Sequence, residues 1–151
     1  MKKIIFINSL NQKLVGNLED CGKDYLVIHC HGYGSNKNSE TATALQQELA
    51  RNKISSFAFD FSDTGESEGK TSDLTVSAGI DDLKSAIGYL KNLGFQNFAL
   101  SGSSFGGSVA LNYAVGDQSI RALALKAPVS EWPSIFARPV RIKKFLKDAP
   151  K

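Results

Sequence analysis

The sequence has 151 residues, of which 42% are hydrophobic and 22% are charged, values typical of one globular domain. No apolar run reaches 18 residues, so no membrane span is predicted. Although the formal net charge is +3, six of the 18 basic residues and only two of the 15 acidic residues lie in the segment 129–151. The basic character therefore belongs to this tail and does not predict nucleic-acid binding by the whole domain.

The two cysteines, Cys21 and Cys30, have no metal-like spacing, so no metal site is predicted and both are interpreted as reduced structural residues. The N-terminus begins Met-Lys-Lys, as signal peptides do, but its apolar part is too short and no small-residue cleavage site follows. We therefore interpret the first residues as a strand and expect a cytoplasmic protein.

Short apolar runs recur along the chain and predict six strands. They are Lys3–Asn8, Lys13–Leu18, Tyr25–Cys30, Ser56–Phe61, Asn97–Ser101 and Ile120–Ala127. The first two are predicted to form a hairpin around the turn Ser9–Gln12. Helical patterns separate most of the others, which predicts an α/β fold with a mostly parallel twisted sheet and helices on both faces. In such a fold the site lies at the carboxyl ends of the strands.

Three helices are predicted from apolar positions at helical spacing. The first is capped by Asn38 or Ser39 and ends near Asn52, the second runs from Thr75 through Leu90, and the third ends at about Val115. Asp81 and Asp82 fall inside the second pattern. We interpret both as part of its solvated face rather than as an acid–base pair.

The segment Gly102-Ser103-Ser104-Phe105-Gly106 matches G-x-S-x-G, in which the serine occupies a strained turn between a strand and a helix. The glycines let neighbouring backbones approach without a Cβ clash. The amides at the start of the helix point toward negative charge that develops beside the serine. Ser104 is therefore the candidate nucleophile, whereas Ser103 lies off the centre of the motif.

Two further glycine-containing segments follow predicted strands. One is His31-Gly32-Tyr33-Gly34, and the other runs from Asp60 to Gly69 with the sequence DFSDTGESEG. The first segment resembles the HG-x-G loop of the α/β-hydrolase superfamily, and the second resembles its D-x-x-G-x-G-x-S-x-G loop. The G-x-S-x-G match resembles its nucleophile elbow. The order and separation of the three also resemble those of the serine esterases, lipases and acylaminopeptidases in this superfamily. The resemblance extends from Met1 to about Pro133. Asp63 stands where relatives usually have glycine, and aspartate tolerates the left-handed conformation expected there.

The resemblance implies hydrolysis of a small carboxylic ester or amide through an acyl-enzyme, without a metal or organic cofactor. The tetrahedral oxyanion of acyl transfer needs preorganised donors, and the implied donors are the backbone N–H groups of Tyr33 and Phe105. The residues that support these loops are His31, Gly32, Gly34, Gly102 and Gly106. Nucleotide binding is not predicted, because neither G-x-G-x-x-G nor a Walker lysine pattern is present.

The resemblance also implies an acid and then a histidine after the nucleophile. Both histidines, His29 and His31, precede Ser104 instead. We expect His29 to be buried in its strand and His31 to shape the oxyanion loop rather than to act as the base. The acidic residues after the nucleophile are Asp117, Glu131 and Asp148, and none follows a further predicted strand.

We therefore expect a truncated α/β-hydrolase fold of about six strands that lacks the last two. Residues 1–128 are interpreted as the N-terminal part of the core and residues 129–151 as the start of a cap or lid. An alternative for this tail is a basic amphipathic helix for membranes or partners.

Two functional interpretations follow. In the first, the chain is a serine-hydrolase domain that is inactive alone and takes its acid and base from another polypeptide. In the second, it is a non-catalytic remnant or interaction module. In both, Ile120–Ala127 is expected to be an exposed edge strand that pairs with a second copy or with a complementing chain.

Overall fold

The computed structural model describes residues 1–71 and 74–129. Each predicted helix and strand is present, and the predicted bounds differ from the observed ones by at most two residues. The strands are β1 (Lys2–Ile7), β2 (Lys13–Glu19), β3 (Leu26–Cys30), β4 (Ser55–Phe59), β5 (Phe98–Ser103) and β6 (Ile120–Lys126). The helices are α1 (Glu40–Arg51), α2 (Val76–Asn92) and α3 (Phe105–Ala114). The predicted cap region, from residue 130 onward, lies outside the described residues.

The strands form one sheet in the order β1-β2-β4-β3-β5-β6. β1 and β2 are antiparallel, β2 is antiparallel to β4, and β4, β3, β5 and β6 are mutually parallel. The predicted hairpin is confirmed, and the Asn8 side chain closes it by accepting the N–H groups of Leu10 and Gln12 at 3.1 and 3.0 Å. Because these strands are parallel, the loops after β3, β4 and β5 all lie at the carboxyl ends of the strands, on the same side of the domain.

Helices cover both faces of the sheet, as the alternation predicts. On β4, Ser56 faces α1, where its hydroxyl accepts a 3.4 Å hydrogen bond from Gln46. The alternating residues Phe57 and Phe59 point to the other face, and both are fully buried. There their rings cluster with Phe6 at centroid distances of 6.0 Å. Burying side chains of this size contributes about 1.5–3 kcal/mol each, and most of the core lies on this face.

Helices α2 and α3 share the aromatic face and pack closely together. Gly79 on α2 allows this approach, because a Cβ there would lie 2.6 Å from Val109 on α3. Of the two caps predicted for α1, Ser39 is the one observed, and Thr75, predicted as the first residue of the second helix, caps α2 instead. The hydroxyls of Ser39 and Thr75 accept the N–H groups of Ala42 and Ala78 at the starts of α1 and α2.

Strand β6 forms one edge of the sheet, because β5 is its only partner among the described strands. Residues 121–124 of this strand are all exposed, including Leu123 at 40%. Exposed strand edges offer unpaired N–H and C=O groups to another chain. No helix within the described ranges has the length and apolar character needed to cross a bilayer.

Asp82 corrects the prediction that both carboxylates of α2 are solvated. Its side chain is 1% exposed and accepts hydrogen bonds from Asn8 Nδ2 at 2.9 Å and from Ser62 Oγ and N at 3.0 and 2.8 Å. Burial raises its pKa above the usual value. The reason is helical phase, since Asp82 lies on the same buried face of α2 as Gly79. Asp81 is half-buried and accepts a 2.6 Å hydrogen bond from the Ser9 hydroxyl.

We predict that Asp82→Ala lowers the free energy of unfolding by about 2–4 kcal/mol, because it leaves buried donors of Asn8 and Ser62 without an acceptor. Urea unfolding followed by circular dichroism measures this change. The matched variant Asp81→Ala removes an exposed hydrogen bond and is expected to cost less than about 1 kcal/mol. Equal losses in the two variants would contradict the structural role assigned to Asp82.

Candidate active site

Ser104 lies at the turn that joins β5 to α3, with φ of 50° and ψ of −117°. Its backbone N–H donates to the carbonyl of Lys126 at 2.9 Å, and its carbonyl accepts the N–H of Ser108 at 3.1 Å. A positive φ at a residue other than glycine costs of order 1–3 kcal/mol, and such strain persists only where the surroundings enforce it. The strained strand–turn–helix geometry predicted for this serine is therefore present.

Two glycines of the G-x-S-x-G segment are required by backbone packing. A Cβ at Gly106 would lie 2.2 Å from the carbonyl oxygen of Cys30 and 2.4 Å from that of His31. A Cβ at Gly102 would lie 2.6 Å from the carbonyl oxygen of Gly106. The start of α3 is thus packed directly against the ends of β3 and β5, which fixes Ser104 between them.

The loop after β3 lies against this turn. A Cβ built on Gly32 would be 3.6 Å from Ser104 Cβ and 3.4 Å from the carbonyl oxygen of Ser103. The loop reverses direction at Gly34, whose φ is 69°, and the N–H of Ser35 donates to the Gly32 carbonyl at 3.2 Å. Tyr33 lies in the middle of this reversal, and its side chain is 51% exposed.

Phe105 is the first residue of α3, so its backbone N–H belongs to the first turn of the helix beside Ser104. Its side chain is fully buried and meets the ring of Phe61 edge to face, with 5.3 Å between the centroids. This contact fixes the start of α3 relative to the loop that follows β4.

Both ring nitrogens of His31 are engaged away from Ser104. The N–H of Phe61 donates to Nε2 at 3.2 Å, so Nε2 is an acceptor and the proton belongs on Nδ1. Nδ1 then donates to the Gly32 carbonyl at 2.8 Å. The ring is 1% exposed, and burial lowers its pKa. This bonding leaves no nitrogen of His31 to accept a proton from Ser104.

His29 is buried, as predicted, and its side chain lies on the face of the sheet opposite the core aromatic residues. Its Nδ1 is 3.3 Å from the Ser101 hydroxyl, and burial, with a smaller effect of nearby His31, lowers its pKa to about 4. A groove of about 330 Å³ opens here, lined in part by Ser101, Ser103 and Lys126. The off-centre serine of the motif therefore faces this groove.

A buried ion pair that sequence reasoning missed joins the loop after β3 to the loop after β4. Lys37 is 2% exposed, and its ammonium lies 2.6 Å from the fully buried carboxylate of Asp60. Nothing in the residue spacing links positions 37 and 60, because the contact depends on the pairing of β3 with β4. The left-handed conformation expected at Asp63 is confirmed by its φ of 61°.

Solved structures place this architecture among the α/β hydrolases. An esterase from Pyrococcus furiosus, Pf2001, superposes with a TM-score of 0.80 at 29% identity, covering 99% of this chain and 56% of that chain. Alpha/beta hydrolase domain-containing protein 10 from mouse superposes with a TM-score of 0.77 at 25% identity, covering 97% of this chain and 58% of that one. The predicted superfamily and fold are therefore confirmed.

The chain belongs to the family described as serine aminopeptidase, S33, whose model matches residues 23–149. The uncharacterized protein YfhR of Salmonella typhi is 33% identical to it over an alignment that covers 72% of this chain and 40% of that protein. The chain thus spans less than two thirds of the length of each of these relatives.

We predict that Gly106→Ala destabilises the protein by about 3 kcal/mol or prevents folding, because its methyl group overlaps two backbone carbonyls that cannot move independently. The matched variant is Gly88→Ala on α2, where a Cβ meets nothing within 4 Å. That change is expected to stabilise the helix by about 0.5–1 kcal/mol. Thermal unfolding of the two variants measures both effects, and similar melting temperatures would contradict the packing described here.

Proposed function

We propose that this chain supplies the nucleophile and the oxyanion-stabilising loop of a serine hydrolase that cleaves small carboxylic esters or amides through an acyl-enzyme. The observation that carries the proposal is the strained turn at Ser104, with the loop after β3 so close that a Cβ built on Gly32 would lie 3.6 Å from Ser104 Cβ. Membership in a serine aminopeptidase family and similarity to an esterase support the same class of chemistry.

In this proposal the Ser104 hydroxyl attacks the substrate carbonyl and the carbonyl oxygen becomes an oxyanion. The backbone N–H groups of Tyr33 and Phe105 donate to that oxyanion, one from the loop after β3 and one from the start of α3. Collapse of the tetrahedral intermediate releases the alcohol or amine and leaves an acyl group on Ser104, which water then removes. No metal or organic cofactor takes part in these steps.

The proton of Ser104 has no acceptor among the histidines of this sequence. His31 uses both nitrogens within its own loops, and His29 is buried against Ser101 with a pKa near 4. A base with so low a pKa accepts a proton poorly near neutrality. We therefore propose that the histidine and its acid come from polypeptide outside these 151 residues.

The edge of β6 is the proposed docking position for that polypeptide. The carbonyl of Lys126 at its end accepts the N–H of Ser104, so a strand added parallel to β6 would end near the nucleophile. A second copy of this chain could pair with the same edge but could not complete the triad, because both of its histidines are buried. The proposed occupant is thus a strand-forming polypeptide that carries a histidine.

We predict that a fluorophosphonate probe labels the purified chain slowly at Ser104, and that added imidazole accelerates labelling because it supplies a base. Unaided hydrolysis of p-nitrophenyl acetate is expected to exceed the water rate by no more than about 10³–10⁴. That is roughly 10⁶ below a complete triad. Mass spectrometry of the labelled peptide identifies the site.

Ser103→Ala serves as the matched control, since it removes the neighbouring hydroxyl and should keep the label, whereas Ser104→Ala should lose it. If wild-type protein takes no label even with imidazole, the non-catalytic interpretation is correct and this proposal fails. Fast turnover by the pure chain would instead disprove the proposal that the general base comes from another polypeptide.

We predict that the chain associates with itself through β6 when no complementing polypeptide is present, since every 100 Å² of exposed apolar surface disfavours the monomer by about 2.5 kcal/mol. Size-exclusion chromatography with light scattering over a range of concentrations measures the association. Leu123→Lys places a charge on β6 and should weaken it. Val115→Lys, at a site 87% exposed beyond the end of α3, should not. A wild-type monomer at every concentration would refute the prediction.

A further inference from the structure

The buried ion pair of Lys37 and Asp60 connects the loop after β3, which packs against Ser104, to the loop after β4. Lys37 lies near the end of the loop after β3, two residues before the Ser39 cap of α1, and Asp60 begins the loop after β4. The Lys37 ammonium donates to Asp60 at 2.6 Å and to Glu66, farther along the second loop, at 2.8 Å. Burial alone would lower the pKa of Lys37, but these hydrogen bonds raise it above its usual value. The lysine therefore stays charged throughout the pH range in which a serine hydrolase is assayed.

The Asp60 carboxylate binds backbone as well as the ammonium. One oxygen accepts the N–H of Lys37 at 2.7 Å, and the other accepts the N–H of Glu66 at 2.9 Å. The second loop is folded closely around this carboxylate, since a Cβ at Gly65, where φ is 53°, would lie 2.2 Å from an Asp60 oxygen. One carboxylate thus holds the end of the first loop against the second.

His31 makes a second connection at the other end of the same segment. It accepts the N–H of Phe61 and donates to the carbonyl of Gly32. The segment 31–37 is therefore tied to the loop after β4 at both of its ends. Between the two ties lie Gly32, which packs against Ser104, and the two residues after it, Tyr33 and Gly34.

We propose that Lys37 is a positioning residue, which acts through Asp60 to set the distance between the Tyr33 N–H and Ser104. This inference rests on the proposed function, in which that N–H stabilises the oxyanion. A buried ion pair adds little stability compared with a well-packed apolar pair. Its directional hydrogen bonds instead select one position of the loop. Because donors must reach the oxyanion at about 2.7–3.1 Å, a small displacement of this segment weakens the stabilisation.

The test compares Lys37→Met with Lys37→Arg, using imidazole-assisted phosphonylation of Ser104. Lys37→Met keeps the length of the side chain but loses the charge, and misplacement of a donor by an ångström costs about 100-fold in rate. We expect that loss in kinact with an unchanged KI, and we expect Lys37→Arg to recover most of it. Lys91→Met is the matched control, because Lys91, on α2, forms a partly exposed ion pair with Asp117 between α3 and β6. This variant should label at the wild-type rate.

Amide hydrogen exchange supplies a readout that does not depend on reactivity. In Lys37→Met, exchange of the Ser35 N–H, which donates to Gly32, should become roughly tenfold faster while core amides such as that of Ile28 keep their wild-type rates. Unchanged exchange at Ser35 overturns the proposal, and faster exchange throughout β3 and α2 also overturns it by revealing a general structural role.

The two readouts separate the two proposals. Absence of label on wild-type Ser104 refutes the proposed function, while the exchange measurement still determines whether Lys37 positions the loop. If wild-type protein and Lys37→Met label at the same rate, the positioning role is wrong and the proposed function stands.

Discussion

The close contact between the start of α3 and the end of β3 is the constraint on which the candidate site depends. Gly106 lies so near the carbonyls of Cys30 and His31 that no side chain fits between them. This contact forces the chain to reverse sharply at Ser104 and accounts for its positive φ. It also brings the loop that begins at His31 to the same place. This one backbone contact therefore produces the strained turn at Ser104 and also fixes the position of the loop after β3.

Much of the fold could be predicted from the sequence because its signals are local. Apolar runs, the Ser39 cap and the strand–turn–helix at the G-x-S-x-G segment each depend on neighbouring residues, and all are found as predicted. The pairing of Lys37 with Asp60 was not predictable, since it arises from two loops that only the sheet brings together. Asp82 is a different case. Its place on the buried face of α2 follows from the helical period. Its charge, however, led to the wrong prediction that the side chain is exposed to solvent.

Buried polar groups recur at the carboxyl ends of the parallel strands. Asp60 holds the loops after β3 and β4 together. Asp82 joins the loop after β4 to the turn after β1, because it accepts hydrogen bonds from Ser62 and Asn8. In both cases a carboxylate accepts backbone N–H groups that the loop geometry leaves outside the sheet ladder. Loops that lack apolar cores of their own are thus fixed by hydrogen bonds, and the segment beside Ser104 is fixed at both ends.

The two histidines show why residue type alone does not identify a base. His29 and His31 are two positions apart, yet His29 contacts Ser101 within the sheet and His31 lies beyond its strand, bonded to Phe61 and Gly32. Burial lowers the pKa of each, which favours the neutral ring that these contacts require. A general base needs the opposite, namely a free nitrogen and a pKa near the working pH. Both rings are therefore suited to holding the structure, and the proposed chemistry at Ser104 depends on a third histidine.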